Sequence, residues 1–204
     1  MHAIVKDNEV KQIITNPRSL VIGDVRYPAK IFELWSKAEK EAIGIYEVTT
    51  NLTNKKDEAY YYNTNSSYTF ADGQVTESWG TATPKRLNDE NAVDEGGNNI
   101  LDDDGNQVIN YGLKTEKKRI VKQQASALLA PTDWYVIKAN EISDYSVPEN
   151  IAIFRTNVRA KSNEMETQID ACNSVDELKA LYEYTRQEDG TQTRPLAEFP
   201  KEVV

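Results

Sequence analysis

Two apolar runs flank a short polar break at the start of the chain, A-I-V-K-D-N-E-V-K-Q-I-I from Ala3 to Ile14, and Lys6-Asp7-Asn8-Glu9 between them reads as a hairpin loop. Asn16-Pro17 breaks the pattern, and L-V-I-G-D-V-R-Y predicts a second hairpin turning at Gly23-Asp24. Pro28 then stands where a helix would start, and Ile31, Leu34, Trp35, Ala38 and Ala42 recur at the spacing of one helix face. Gly44 is placed to cap that helix, and I-Y-E-V-T-T returns to strand. Tyr60 and Tyr62, Tyr68 and Phe70, and Val75 and Glu77 alternate about turns at Asn63–Ser66 and Ala71–Gln74, which predicts an antiparallel meander closing near Trp79.

From residue 84 the chain changes character and becomes rich in Asp, Asn and Gly. Within it, D-E-G-G-N-N-I-L from Asp94 and D-D-D-G-N-Q-V-I from Asp102 match at an eight-residue offset, the pattern of two successive turns, each followed by a short strand. Two copies are too few for a solenoid. Helical periodicity begins at Leu113, with Ile120, Val121, Gln124, Ala127 and Leu128 expected on one side, a basic cluster at Lys117-Lys118-Arg119, and a stop at Pro131. Pro148 opens another helix along Ile151, Phe154, Val158, Met165, Ile169 and Cys172, and Ser174-Val175-Asp176-Glu177 reads as the capping box of a last short one. The expectation is an α+β fold: a small antiparallel β-meander with one helix over 1–85, an Asp/Gly/Asn-rich β-turn connector over 86–112, a helical module over 113–184 and an extended tail over 185–204.

Composition removes several kinds of chemistry. His2 is the only histidine and Cys172 the only cysteine, so a Ser-His-Asp or Cys-His arrangement and a structural zinc site both lack their parts. No glycine-rich phosphate cradle occurs, and neither a catalytic residue nor a cofactor is expected. A net charge of −9 argues against nucleic acid. The chain shows no secretory leader and no apolar stretch long enough for a membrane span, and its single thiol suits a reducing compartment, so a cytoplasm is the expected address and a membrane is not an expected partner.

Three features invite functional readings. Asp102, Asp104 and Asn106 could offer oxygens to calcium, though the EF-hand template fails because Ile100 falls where its first acid is required; a pair of turns is the competing reading. The aromatic run Tyr60-Tyr61-Tyr62 with Tyr68 and Phe70 is either a stacking platform or half-buried core. Trp134 and Tyr135 follow the proline stop, with Thr132 or Asp133 as cap, and either plug the corner between two helices or anchor a partner.

The junction L-L-A-P-T-D-W-Y-V-I-K-A-N-E, followed by V-P-E-N-I-A-I-F-R-T-N-V-R-A and a long polar helix, resembles the C-terminal region of tail fibre assembly chaperones of tailed bacteriophages. There a Leu-Leu helix end is followed by a small-polar-Asp-Trp step, a proline, and a helix with an aromatic-Arg pair like Phe154-Arg155. The resemblance covers about residues 120 to 170; residues 1–87 look like a module of marine-phage tail-associated proteins. It implies a non-enzymatic protein that assists tail fibre folding or assembly, located in the host cytoplasm. Its expected partners are tail fibre or other tail proteins, with Trp134, Tyr135, Phe154 and Arg155 as candidate partner-binding residues, and a homo-oligomer of the chain itself is the other association it allows. The Asp/Gly/Asn connector and the proline-bearing tail fall outside that pattern, so a structural component of the virion tail, whether fibre, adaptor or baseplate-associated protein, is the rival reading.

Overall fold

The computed structural model describes residues 1–201. Helices and strands are both well represented, as an α+β chain requires, and the chain divides into two compact units, Met1–Thr83 and the residues from Pro84 on.

In the first unit, β1 (His2–Lys6) and β2 (Glu9–Ile14) form the expected hairpin. Lys6 pairs with Glu9, so the loop narrows to Asp7 and Asn8, whose φ values of 56° and 60° suit a two-residue turn that follows strand twist. β3 (Leu20–Ile22) and β4 (Val25–Tyr27) pair about Gly23, also at positive φ. The single helix expected next is two: α1 (Ile31–Leu34) and α2 (Lys37–Ala42). Ser36 interrupts them with an extended backbone; its hydroxyl accepts from Glu39 N–H while the Glu39 carboxylate accepts from Ser36 N–H, a reciprocal cap that restarts the helix. The predicted apolar face is broken with it, leaving Ile31 and Phe32 buried and Leu34 exposed.

Gly44, at φ +81°, donates to Glu41 O and accepts from Val5 N–H; a Cβ there would lie 2.7 Å from Val5 O, so glycine alone lets the chain pass β1 this closely. β5 (Ile45–Thr50) then enters a five-stranded sheet of order β2-β1-β5-β8-β7, in which β7 is Ser67–Ala71 and β8 is Gln74–Ser78. The sheet is mixed rather than a meander, because β8 returns parallel to β5 with Val48 opposite Val75. The chain between Asn51 and Gly73 supplies the crossover a parallel pair needs. β6 (Tyr61–Tyr62) stands outside this sheet, and the tyrosine alternation fails there: adjacent Tyr60 and Tyr61 are both buried and Tyr62 is exposed. Ile14, Leu20, Ile31, Phe32 and Ile45 form the core, flanked by Tyr27 and Trp35 packed edge to face.

β9 (Thr83–Pro84) lies at the boundary, and the second unit opens with the acidic connector. The eight-residue repeat forms the two turns and is also closed into a ring by three backbone hydrogen bonds. Ala92 N–H donates to Val108 O, Val108 N–H to Ile100 O, and Ile100 N–H to Ala92 O, at 2.8–2.9 Å. Three antiparallel pairings follow the same offset: Val93 with Asn99, Leu101 with Gln107, and Asn91 of β10 (Glu90–Asn91) with Ile109 of β11 (Ile109–Asn110). Each full turn is pinned by its leading aspartate, since Asp94 Oδ1 accepts from Gly96 and Asn98 N–H, and Asp102 Oδ1 from Asp104 and Asn106 N–H.

The ring also starts α3 (Leu113–Leu129). Arg86 O and Leu87 O accept from Leu113 and Lys114 N–H, and the Asp89 carboxylate accepts from Gly112 N–H and the Thr115 hydroxyl. A Cβ at Gly112 would lie about 2.5 Å from the Asn88 carbonyl, so this docking admits only glycine. α3 runs antiparallel to α5 (Glu149–Ala171), with Lys118 paired to Asp170 and Lys122 to Glu166. Its buried line is Val121 and Ala125 with half-buried Leu128, while Ile120, Gln124 and Ala127, expected inside, face out. Pro131 does not halt the helix; a 3-10 turn, Ala130–Thr132, carries helical backbone straight into α4 (Asp133–Glu141). α6 (Val175–Ala180) is capped by Ser174 in one direction only, because the Glu177 carboxylate accepts from Asn173 N–H instead of Ser174.

Residues 185–201 are more ordered than a tail. β12 (Thr185–Arg186) and β13 (Gln192–Thr193) form a hairpin, after which Leu196 is buried and donates to Leu181 O, Gln168 clamps Pro195 O and Ala197 N–H, and Phe199 packs on the Ala125–Phe154–Val158 cluster.

Candidate partner-binding surface

Arg155 sits one turn beyond Ile151 on the apolar stripe of α5, where a charge must find partners to be tolerated. It finds three at the α3–α4 corner. One guanidinium nitrogen donates to Leu129 O at 3.1 Å and to the Thr132 hydroxyl oxygen at 2.6 Å, and lies 2.8 Å from the Asp133 carboxylate. Thr132 does not cap α4 as expected; its hydroxyl donates to Leu129 O at 2.7 Å. The corner is thus held by a buried polar knot, with Phe154 buried beside it against Ala125 and Val158.

Trp134 does not plug this corner. It is 50% exposed and stacks on Tyr135 at a centroid distance of 3.8 Å, with the Lys138 ammonium over Trp134 and over Tyr145. The inner side of this junction is taken by the Arg155 guanidinium, which contacts Leu129, Thr132 and Asp133, and helical backbone continues past Pro131 into α4. α4 buries no residue, and Trp134 and Ile137, three apart and therefore on one face, are both exposed, with Val136 beside them. Of the four residues singled out from sequence, Phe154 and Arg155 are interior and Trp134 and Tyr135 form the surface they support. Thr132 and Asp133 were available as candidates only for capping; a lone arginine in a buried stripe was the clue that they would face a cation.

The remaining chemistry is modest. Of the candidate calcium residues, Asp102 turns its carboxylate onto the Asp104 and Asn106 N–H groups of its own loop, which hold its pKa below the usual range; Asp94 does the same with Asn98 and Gly96. Among the described residues there is no group of three or more His, Cys, Asp and Glu side chains able to hold a metal ion. Burial raises the Cys172 thiol above its ordinary pKa, away from nucleophilic use. An open basin of about 640 Å³ along α3 is lined by Lys118, Arg119 and Lys122, but each is ion-paired, to Asp170, Glu116 and Glu166 in turn.

Comparison with models of protein families, with curated proteins and with solved structures finds no match. No helix among the described residues is long and apolar enough to cross a membrane. The surface of α4 therefore has to be interpreted from its own chemistry.

Proposed function

We propose that the chain is a non-enzymatic bacteriophage tail protein that assists tail fibre folding or assembly by presenting α4 to a protein partner. The observation that carries this is the exposed Trp134–Ile137 face on a helix that buries nothing, fixed from beneath by Arg155. Aromatic anchors on a rigid support are what partner recognition uses, and an unsupported helix of nine residues would not persist alone. The resemblance of residues 120 to 170 to fibre assembly chaperones supports the choice of partner.

Co-expression with the fibre protein encoded beside it tests the proposal. The wild-type chain raises the yield of soluble trimeric fibre, and Trp134→Ala with Ile137→Asp removes that gain while the variant's own melting temperature holds. An unchanged fibre yield with the wild-type chain overturns it. Mass spectrometry of purified particles separates the two tail roles, since stoichiometric presence means a resident structural component and absence means an assembly factor.

A further inference from the structure

The segment that follows the last hairpin has neither helix nor strand, and it is held largely by its main chain. Gln168 of α5 grips it with both ends of one amide: Nε2 donates to Pro195 O at 3.1 Å, and Oε1 accepts from Ala197 N–H at 2.8 Å. Between these two bonds, Leu196 N–H donates to Leu181 O at 3.0 Å, just past the end of α6. Two side chains complete the fit. Leu196 is buried, and Phe199 packs where α3 and α5 present Ala125, Leu128, Phe154 and Val158. Main-chain bonds that hold any sequence, joined to spaced apolar pockets that select one, are the features of a groove that binds peptides.

Two further observations mark this occupant as exchangeable. An open cavity of about 400 Å³ lies beside Pro195, walled by Gln168, Ala171, Cys172, Ala180 and Leu181. The compact proline ring borders this space, and a longer apolar side chain in its place would bury more surface. The tether is free as well, since residues 183–193, the β12–β13 hairpin included, are exposed throughout. The segment can therefore lift away without uncovering a core on its approach side.

We propose that the groove of α3, α5 and α6 is a peptide-binding site, that Pro195–Phe199 is its internal occupant, and that it accepts in exchange a partner segment carrying a long apolar residue, then leucine, then an aromatic residue three further on. The first of these fills the cavity beside Pro195, the second takes the place of Leu196 and the third that of Phe199. Gln168 and Leu181 O bond the partner's main chain as they bond this chain's own. The internal segment competes by being tethered, the partner by filling the space that proline does not. This site does not rest on the function proposed for α4.

Fluorescence anisotropy with the full chain and a labelled peptide of residues 193–201 carrying Pro195→Leu is the test. In the chain, Leu196→Ser with Phe199→Ser releases the internal segment, and this variant should bind the peptide about tenfold more tightly than wild type does. Adding Gln168→Ala should weaken that binding about tenfold, and the peptide that keeps its proline should bind less tightly than the Pro195→Leu peptide. Equal affinity of wild type and released variant, indifference to Gln168→Ala or to Pro195→Leu, or no binding to the released variant overturns the proposal. Loss of the released variant's helical circular dichroism overturns it too, because the segment would then belong to the core. In the wild-type chain, the amides of Leu196 and Ala197 should exchange with solvent deuterium faster than those in the middle of α5, and exchange at the same slow rate would count equally against an exchangeable occupant.

Discussion

Helices α4 and α5 both follow a proline and both carry an aromatic residue beside a polar one, Trp134-Tyr135 and Phe154-Arg155, yet one pair lies on the surface and the other in the interior. The difference is in periodicity. α5 repeats buried positions at Ile151, Phe154, Val158, Met165 and Ile169, so a single side of the helix can be covered along its whole length. α4 gathers Trp134 and Ile137 on one face with Val136 beside them, and its two turns bury none of the three within the chain. Apolar content is similar in kind; only its arrangement tells scaffold from surface.

The comparison predicts a graded series of stability effects in the full chain, measured by urea or thermal unfolding. The largest belongs to Phe154→Ala, which empties a buried site and should cost roughly 3–5 kcal/mol. A small loss there would mean that α5 is not the scaffold. Arg155→Met comes next at about 1–3 kcal/mol, because Leu129 O loses a donor and the corner loses its knot, whereas Asp133→Asn, at a half-exposed carboxylate, should cost below about 1 kcal/mol. Equal effects from the two would show that the ion pair, and not the neutral acceptors, holds the corner. Trp134→Ala should move stability by no more than about 0.5 kcal/mol and instead weaken partner binding by about 2 kcal/mol. A drop of several kcal/mol in the absence of partner would return Trp134 to the interior.

The smallest effect serves as a control outside both helices. Loop N–H groups lower the pKa of Asp94 and Asp102 in the folded chain, so their contribution is present above the ordinary carboxylate range and is lost as pH falls through that range to the folded pKa. Asp94→Asn with Asp102→Asn should flatten the stability profile between about pH 5 and 3 relative to wild type, and an identical slope would show that these carboxylates carry no such linkage.

Local features of this fold were legible in the sequence, and those depending on distant partners were not. The Asp7-Asn8 and Gly23 turns, the α5 stripe and the Pro148 start are each encoded within a few residues. Ser36 and Glu39 were equally local, but the apolar spacing of Leu34, Trp35 and Ala38 spoke louder than the cap that divides them. The parallel return of β8 depends on pairing Val48 with Val75 across an intervening chain that announces nothing of it. α3 was phased wrongly because Ile120 and Ala127 were taken as inward, when Lys114 and Lys118 lay along the inner line by extending their stems across α5 to reach Asp170. At the candidate surface the residues were recognised and their roles exchanged: the arginine proved to be the corner, and the tryptophan the face.

The closed circuit through Ala92, Ile100 and Val108 has a consequence for how the chain acquires its shape. A ladder frays from its last rung, but a ring has no last rung, and opening one of its three bonds removes the alignment that holds the other two. The two inner loops span only eight residues each, so their closure costs little chain entropy and can precede any docking of helices. The amides of these three residues should therefore exchange with solvent deuterium at one common rate, set by the opening of the ring as a unit. The start of α3 is tied to the chain leading into this ring, since Arg86 O and Leu87 O accept from Leu113 and Lys114 N–H and Asp89 accepts from Gly112 N–H and the Thr115 hydroxyl.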